Sequence, residues 1–169
     1  MSTIENDVLA GALRELLREA YFEPEESGTT WFADEGPGSG LLGTVEQLTA
    51  QEASTLPYVG GDTIAAHCNH VAYYLSLANR SFQGDNAFAE ANWSESWEIQ
   101  TVNDTAWQHL LEQLAVELDR TLGILGRGAD LTYPELLKGT MALLAHGAWH
   151  LGAVRQLIPV VKEKTAAGS

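Results

Sequence analysis

Apolar residues recur at helical spacing in four long segments of the chain, and no segment alternates apolar and polar residues as a strand does. The third segment is the clearest, because tryptophan or leucine returns every three or four residues from Trp107 to Leu125. This pattern predicts an all-α protein whose long helices each bury one face. In the first segment the apolar face is formed by Val8, Leu9, Ala12, Leu13, Leu16 and Ala20.

Two motifs of the capping-box type predict where helices start. Residues 44–47 (TVEQ) predict the start of a short extra helix that stops before Pro57. Residues 132–135 (TYPE) predict the start of the fourth long helix, with Pro134 in its first turn, where the missing N–H costs nothing.

Glycines, prolines and polar capping residues predict the remaining helix bounds. The predicted helices together indicate one bundle. The polar residues 83–102 have no helical period, and a connection of this length in a compact domain is often functional or packs over a site. We therefore predict a four-helix bundle with one short extra helix and a long connection between the second and third long helices, occupying residues 1–169 as a single domain. The first predicted long helix ends at 23–24. The second runs from 60–63 to about 82, and the third runs from 103 or 104 to 126–128. The fourth starts at 132–135 and weakens before Pro159, with residues 165–169 frayed.

Charge and cysteine content limit the classes of partner and the cellular compartment that the sequence predicts. Nine basic residues against 23 acidic ones give a formal charge of −14, which repels phosphate backbones and anionic lipids. We therefore predict no nucleic acid and no membrane as partners. The N-terminal residues are polar and acidic, unlike a secretory signal, and the single cysteine, Cys68, is predicted to be a small core residue. These features predict a cytoplasmic protein.

A histidine pair lies in the otherwise apolar fourth segment. His146 and His150 are four residues apart, and at about 100° per residue this spacing puts both imidazoles on one helix face. Leu143 and Val154 fall on the same side, so the pair is predicted to face the core. Two buried neutral imidazoles need partners, either neighbouring polar groups or one metal ion that satisfies both.

A third nitrogen ligand has to come from another helix. His109 lies roughly 200° from Trp107 around the third helix, which predicts that it faces solvent. His67 and His70 on the second helix differ by roughly 60°, and both fall within the apolar arc. Periodicity does not choose between these two. Either completes a three-histidine site in the bundle interior.

Other metal sites are excluded by spacing. The chain has no Glu-x-x-His motif for a carboxylate-bridged di-iron centre, and Gly147 stands where zinc proteases have a glutamate. One cysteine cannot build a structural thiolate site. The pattern therefore favours a mononuclear three-nitrogen site with open positions, for which zinc or nickel is favoured, while iron or manganese would normally recruit a carboxylate as well.

Residues 63–75 (TIAAHCNHVAYYL) and 146–156 (HGAWHLGAVRQ), with 93–97 (WSESW) between them, resemble the DinB-like (damage-inducible) superfamily. The likeness covers nearly the whole chain in order. It implies a four-helix bundle, commonly a homodimer, in which a divalent metal is bound by one histidine of the second helix and by the His-x-x-x-His pair of the fourth. Carried over by position, these ligands are His70, His146 and His150, with His67 as the reserve.

Characterised relatives of that family use the metal to activate a low-molecular-weight thiol, and many members have no known activity. The resemblance thus implies a metal-dependent enzyme of the thiol-transferase or hydrolase type that acts on a small molecule. The alternative is a non-catalytic metal- or ligand-binding bundle of the same family. The sequence identifies no catalytic base and does not identify the substrate.

Overall fold

A computed structural model describes residues 4–24, 30–34 and 36–168. Within these ranges the chain is all-helical, with six α-helices and no strand, so the predicted all-α class is confirmed. Two single-turn 3-10 helices, Ala87–Glu90 and Glu95–Trp97, lie in the predicted long connection. The α-helices are α1 (Asn6–Tyr21), α2 (Leu41–Val45), α3 (Ala50–Ala53), α4 (Ile64–Phe82), α5 (Asp104–Gly126) and α6 (Pro134–Ala167).

Four of these helices are long, and each packs against two others. Taken around the bundle, the order is α1, α6, α4, α5. The predicted stripe of α5 lies entirely inside: Trp107 is 1% exposed, Leu114 and Leu118 are fully buried, and the Trp107 indole donates to the Leu48 carbonyl. The two short helices α2 and α3 lie against α6. The core is therefore built mainly from leucine, alanine and valine on the inward faces of the long helices.

The buried face of α1 is rotated from the predicted one. Leu13 and Ala20 are buried as expected, but Val8 is 62% exposed and the buried set includes Leu17. Glu19 is also buried, because one of its carboxylate oxygens accepts three backbone N–H groups, those of residues 31–33, each at 2.8 Å. A carboxylate that is satisfied in this way can lie in the interior, and a hydrophobic pattern does not register it.

Neither of the two predicted capping boxes forms. The real box joins Thr49 and Glu52 at the start of α3, where each side chain accepts the other residue's backbone N–H. Thr44 lies inside α2, so the expected single short helix is two. At the start of α6, Thr132 donates to Asp130 instead of capping the helix. Pro134 does occupy the first turn, as predicted.

The fourth long helix does not weaken before Pro159 but continues to Ala167. Proline removes one helical hydrogen bond, and packing compensates for it here. Val161 is fully buried, the Lys164 ammonium donates to the Leu56 carbonyl, and the hydroxyls of Thr165 and Thr55 are 3.2 Å apart. The predicted fraying of residues 165–169 is therefore wrong for 165–167.

Candidate metal site

Three histidines predicted to meet lie together where α4 packs against α6. One ring nitrogen from each of His70, His146 and His150 lies within 4.8 Å of the other two. His146 Nε2 is 3.1 Å from His70 Nε2 and 3.2 Å from His150 Nε2. The spacing of four residues in α6 puts two of the rings on one helix face, where they meet edge-on with centroids 4.4 Å apart, and α4 brings the third across the interface. These three histidines are placed closely enough to hold one metal ion.

The other two histidines, His109 and His67, lie outside the point where the three rings meet. His109 is exposed on α5, as predicted, and its Nε2 lies 3.0 Å from the Gln113 amide nitrogen. His67 is buried beside the three rings, but its Nδ1 lies 2.9 Å from Nδ1 of His150, on the far side of that ring from the meeting point. The reserve histidine therefore contacts the cluster without sharing its centre.

The connection between α4 and α5 covers the site. Trp97 stacks on the His70 ring with centroids 4.2 Å apart, and Trp93 lies 6.2 Å from the same ring. The connection is fastened to the start of α4, where the Thr63 backbone N–H and hydroxyl both donate to Gln100. On the α6 side, Trp149 borders His150 at 4.6 Å and is 60% exposed. Aromatic side chains thus surround the rings on two sides.

Ser96 of this connection fixes the tautomer of His70. Its hydroxyl lies 2.7 Å from the Trp93 carbonyl oxygen, which can only accept, so the single hydroxyl proton is donated there. The same Oγ lies 2.8 Å from His70 Nδ1 and must accept from it. Nδ1 of His70 then carries the ring's proton, and its Nε2 presents a lone pair to the other two rings. Ser96 was not singled out from the sequence, where a serine between two tryptophans gives no signal.

The rings are neutral at pH 7. Burial, reinforced by neighbouring imidazoles, lowers the pKa of His70 and of His146 to about 4. The same causes lower the pKa of His150 to about 2. Neutral imidazole is the form that binds metal ions, so no proton has to leave these rings at pH 7.

Protein groups alone do not satisfy this cluster. His146 Nδ1 is buried with no hydrogen-bond partner in the described part of the chain, while Nε2 faces two other Nε2 atoms. A ring nitrogen of neutral imidazole carries either one proton or one lone pair, so Nε2 of His146 can hydrogen-bond only one of these neighbours, and the other close nitrogen pair has no hydrogen bond. A cation at the meeting point would be attracted to all three lone pairs. The donor set therefore fits a metal ion.

An open apolar cavity adjoins the site. Its volume is about 250 Å³, and it continues along the groove between α4 and α6. Tyr74 is the shared wall, because its ring stacks on His146 with centroids 4.1 Å apart and also lines the cavity. A larger cavity of about 700 Å³ between α1 and α5 contains no histidine, so volume alone does not mark the site. The other apolar walls of the smaller cavity include Phe82, Phe88, Leu136 and Leu143.

Cys68 takes no part in this cluster. It is fully buried in the core, and burial raises the pKa of its thiol to about 12, so the thiol is not a nucleophile at pH 7. Arg155 takes no part in it either, because its guanidinium forms an ion pair with Asp34 and donates to the Ser39 carbonyl.

Comparison of the chain with protein-family models, with curated proteins and with solved structures found no match. None of the helices in the described ranges is long and apolar enough to cross a membrane.

Proposed function

We propose that this chain is a DinB-like four-helix-bundle protein that binds a divalent metal ion through His70, His146 and His150 and uses it in small-molecule chemistry. The observation that carries the proposal is the approach of three Nε2 atoms from two helices to one point. Hydrogen bonds between the rings cannot satisfy all three Nε2 atoms, and an ion at their meeting point would. The resemblance of residues 63–75 and 146–156 to that superfamily supports the same ligand set.

The reaction class we propose is thiol transfer or hydrolysis, with a low-molecular-weight thiol as co-substrate in the first case. A divalent ion held by three neutral rings would act as a Lewis acid and lower the pKa of a thiol or water that binds it. The rings add no negative charge to offset the charge of the ion. Trp97 and Tyr74 stack on His70 and His146 and so cover one face of each ring.

The cavity beside Tyr74 supports a small substrate with an apolar body. Gly139 lies in its wall, and a Cβ added there meets no atom within 4 Å. Replacing Gly139 with Phe would fill part of the cavity without touching the histidines. If the substrate lies there, this variant raises KM and leaves the metal content unchanged. An unchanged KM would place the substrate elsewhere.

Metal binding is tested by elemental analysis of protein purified without a metal-affinity column. Wild-type protein should contain about one equivalent of a divalent metal, and His146→Ala should contain almost none. His109→Ala is the matched control, because it removes an exposed imidazole from another helix and should keep the metal. Stoichiometric metal in His146→Ala would refute the proposed ligand set.

Catalysis is tested separately, by turnover of the loaded protein with a panel of thiols and electrophiles. Turnover that the wild-type protein shows and His146→Ala lacks would support the hypothesis that the protein is an enzyme. Inactivity across the whole panel would favour the alternative, a bundle that binds a metal or ligand without chemistry.

A further inference from the structure

His67 is the one buried histidine that the proposed metal site does not use. It precedes His70 by three residues on α4, is 8% exposed, and lies in edge contact with Trp97. Its Nδ1 lies 2.9 Å from Nδ1 of His150. This is the nitrogen of His150 opposite to the one that faces His146. We propose that His67 is a positioning residue, which accepts a hydrogen bond from His150 and thereby directs the Nε2 lone pair of His150 at the ion.

The direction of that hydrogen bond follows from proton counting. Two Nδ1 atoms at this distance share one proton, so one ring donates and the other accepts. If His67 donated, the Nδ1 of His150 would be the acceptor and its only proton would be on Nε2. That proton would block the atom that faces the other rings. His150 therefore donates from Nδ1, and His67 accepts while carrying its own proton on Nε2.

Ser96 provides the same arrangement for His70, by accepting from the nitrogen that faces away from the meeting point. Histidines that bind metals commonly donate their second N–H to such an acceptor, which fixes both tautomer and ring orientation. Two of the three rings are thus held from outside, one by a hydroxyl and one by a fourth imidazole.

The matched pair His67→Asn and His67→Leu separates hydrogen bonding from packing. Asparagine places Oδ1 at the same position along the side chain as the imidazole Nδ1, so it keeps the acceptor. Leucine has nearly the same shape as asparagine and has no acceptor. Both fit a buried position among aromatic rings, and circular dichroism of the metal-free variants shows whether each is folded.

The measurement is a titration of the metal-free full-length chain with cobalt(II), read by visible absorption and by competition with a chelator. We expect His67→Leu to bind cobalt about 10–100-fold more weakly than the wild type, as is typical when a group that orients a metal ligand is removed. His67→Asn should recover most of this loss. Both variants should keep the wild-type absorption bands, because the ligands are unchanged. Wild-type affinity in His67→Leu would overturn the proposal. Altered bands in His67→Asn would overturn it too, by making His67 a ligand.

Nuclear magnetic resonance gives a second test that needs no variant. Long-range proton–nitrogen correlations of the imidazoles in the zinc-loaded wild-type protein should show Nδ1 protonated in His150 and unprotonated in His67. The opposite assignment would contradict the proposal.

The inference rests on the proposed metal site, and the same cobalt titration separates the two. If His146→Ala still binds cobalt like the wild type, the metal site itself is wrong. If His146→Ala loses binding while His67→Leu keeps it, only the role of His67 is wrong.

Discussion

The α4–α6 interface and the inward stripe of α5 are both buried, yet they are built from opposite kinds of side chain. The α5 stripe consists of leucines and Trp107, which gain stability simply by leaving water. The α4–α6 interface contains four imidazoles, and each of them loses hydration that some partner must replace. Burial alone explains the first surface. The second needs a hydroxyl, a further imidazole and, as we propose, an ion.

The largest expected effect is that of low pH, which should destabilise the α4–α6 interface and not the α5 stripe. Without metal, His70, His146 and His150 have pKa values well below the usual 6.5 in the folded protein. Above pH 6.5 the folded and unfolded chains are both neutral at these rings, so their contribution to stability is fully present. Below pH 6.5 the unfolded chain takes up protons and the folded chain does not, so the free energy of unfolding falls, by at most about 1.4 kcal/mol per pH unit for each ring.

Urea unfolding of the chelator-treated protein between pH 7 and pH 5 measures this effect. The control is His150→Leu, which removes the ring with the lowest pKa and should reduce the pH dependence by about one proton. A stability that stays constant from pH 7 to pH 5 would mean that the rings are not neutral in the folded state.

On the apolar side, Leu114→Ala should cost about 2–5 kcal/mol of unfolding free energy, because Leu114 is fully buried and the truncation leaves a cavity. Val116→Ala on the same helix is the control, since Val116 is 52% exposed and should change stability by less than about 0.5 kcal/mol. Cobalt affinity should be unaltered in both variants. A loss of affinity in Leu114→Ala at a temperature where it is folded would show that the two surfaces are coupled.

Where the two kinds of surface meet, Gly147→Ala should cost about 1–3 kcal/mol by overpacking. Gly147 lies directly against the ring of Tyr21, and the new methyl group would overlap with that ring. Tyr21 is fully buried and donates to the Leu143 carbonyl, so it has little freedom to move. Gly152→Ala is the matched control in α6, because it meets no atom within 4 Å and should stabilise the helix by about 0.5–1 kcal/mol.

Urea midpoints of the two alanine variants provide the comparison. Equal midpoints would mean that Tyr21 moves aside at no cost.

The smallest effect is expected from Ser96→Ala. Removing the hydroxyl leaves His70 Nδ1 without its acceptor, and cobalt affinity should fall about tenfold while stability hardly changes. Ser94→Ala in the same connection, where the serine is exposed, should leave affinity as it is. An unchanged affinity in Ser96→Ala would show that water replaces the hydroxyl fully.

The difference between the two surfaces also explains how far the sequence could predict this protein. The α5 stripe and the placement of His146 and His150 on one face of α6 follow from local spacing, and both were predicted correctly. The partners of the rings were not, because Ser96 lies 26 residues from His70 and His67 lies 83 from His150. Contacts between residues this far apart depend on how the helices pack.

The errors in helix bounds have the same origin. Residues 44–47 and 49–52 both carry the capping pattern, and only packing decides that the second is used. Pro159 should have weakened α6 by its local preference, but contacts with residues 55 and 56 keep the helix intact. Local rules were overruled wherever a distant segment compensated for the cost.

One consequence follows from Ser96 lying in a connection rather than in a helix. The Ser96 hydroxyl accepts from His70 only while residues 83–102, here called the flap, lie over the rings, so packing of the flap and affinity for the proposed ion are thermodynamically linked. By reciprocity, a bound cation must favour the closed flap by the same free energy that closure adds to affinity. A protease that cleaves within the flap should therefore cut the metal-bound protein more slowly than the metal-free protein. The digestion rate would then report the fraction of protein that holds an ion.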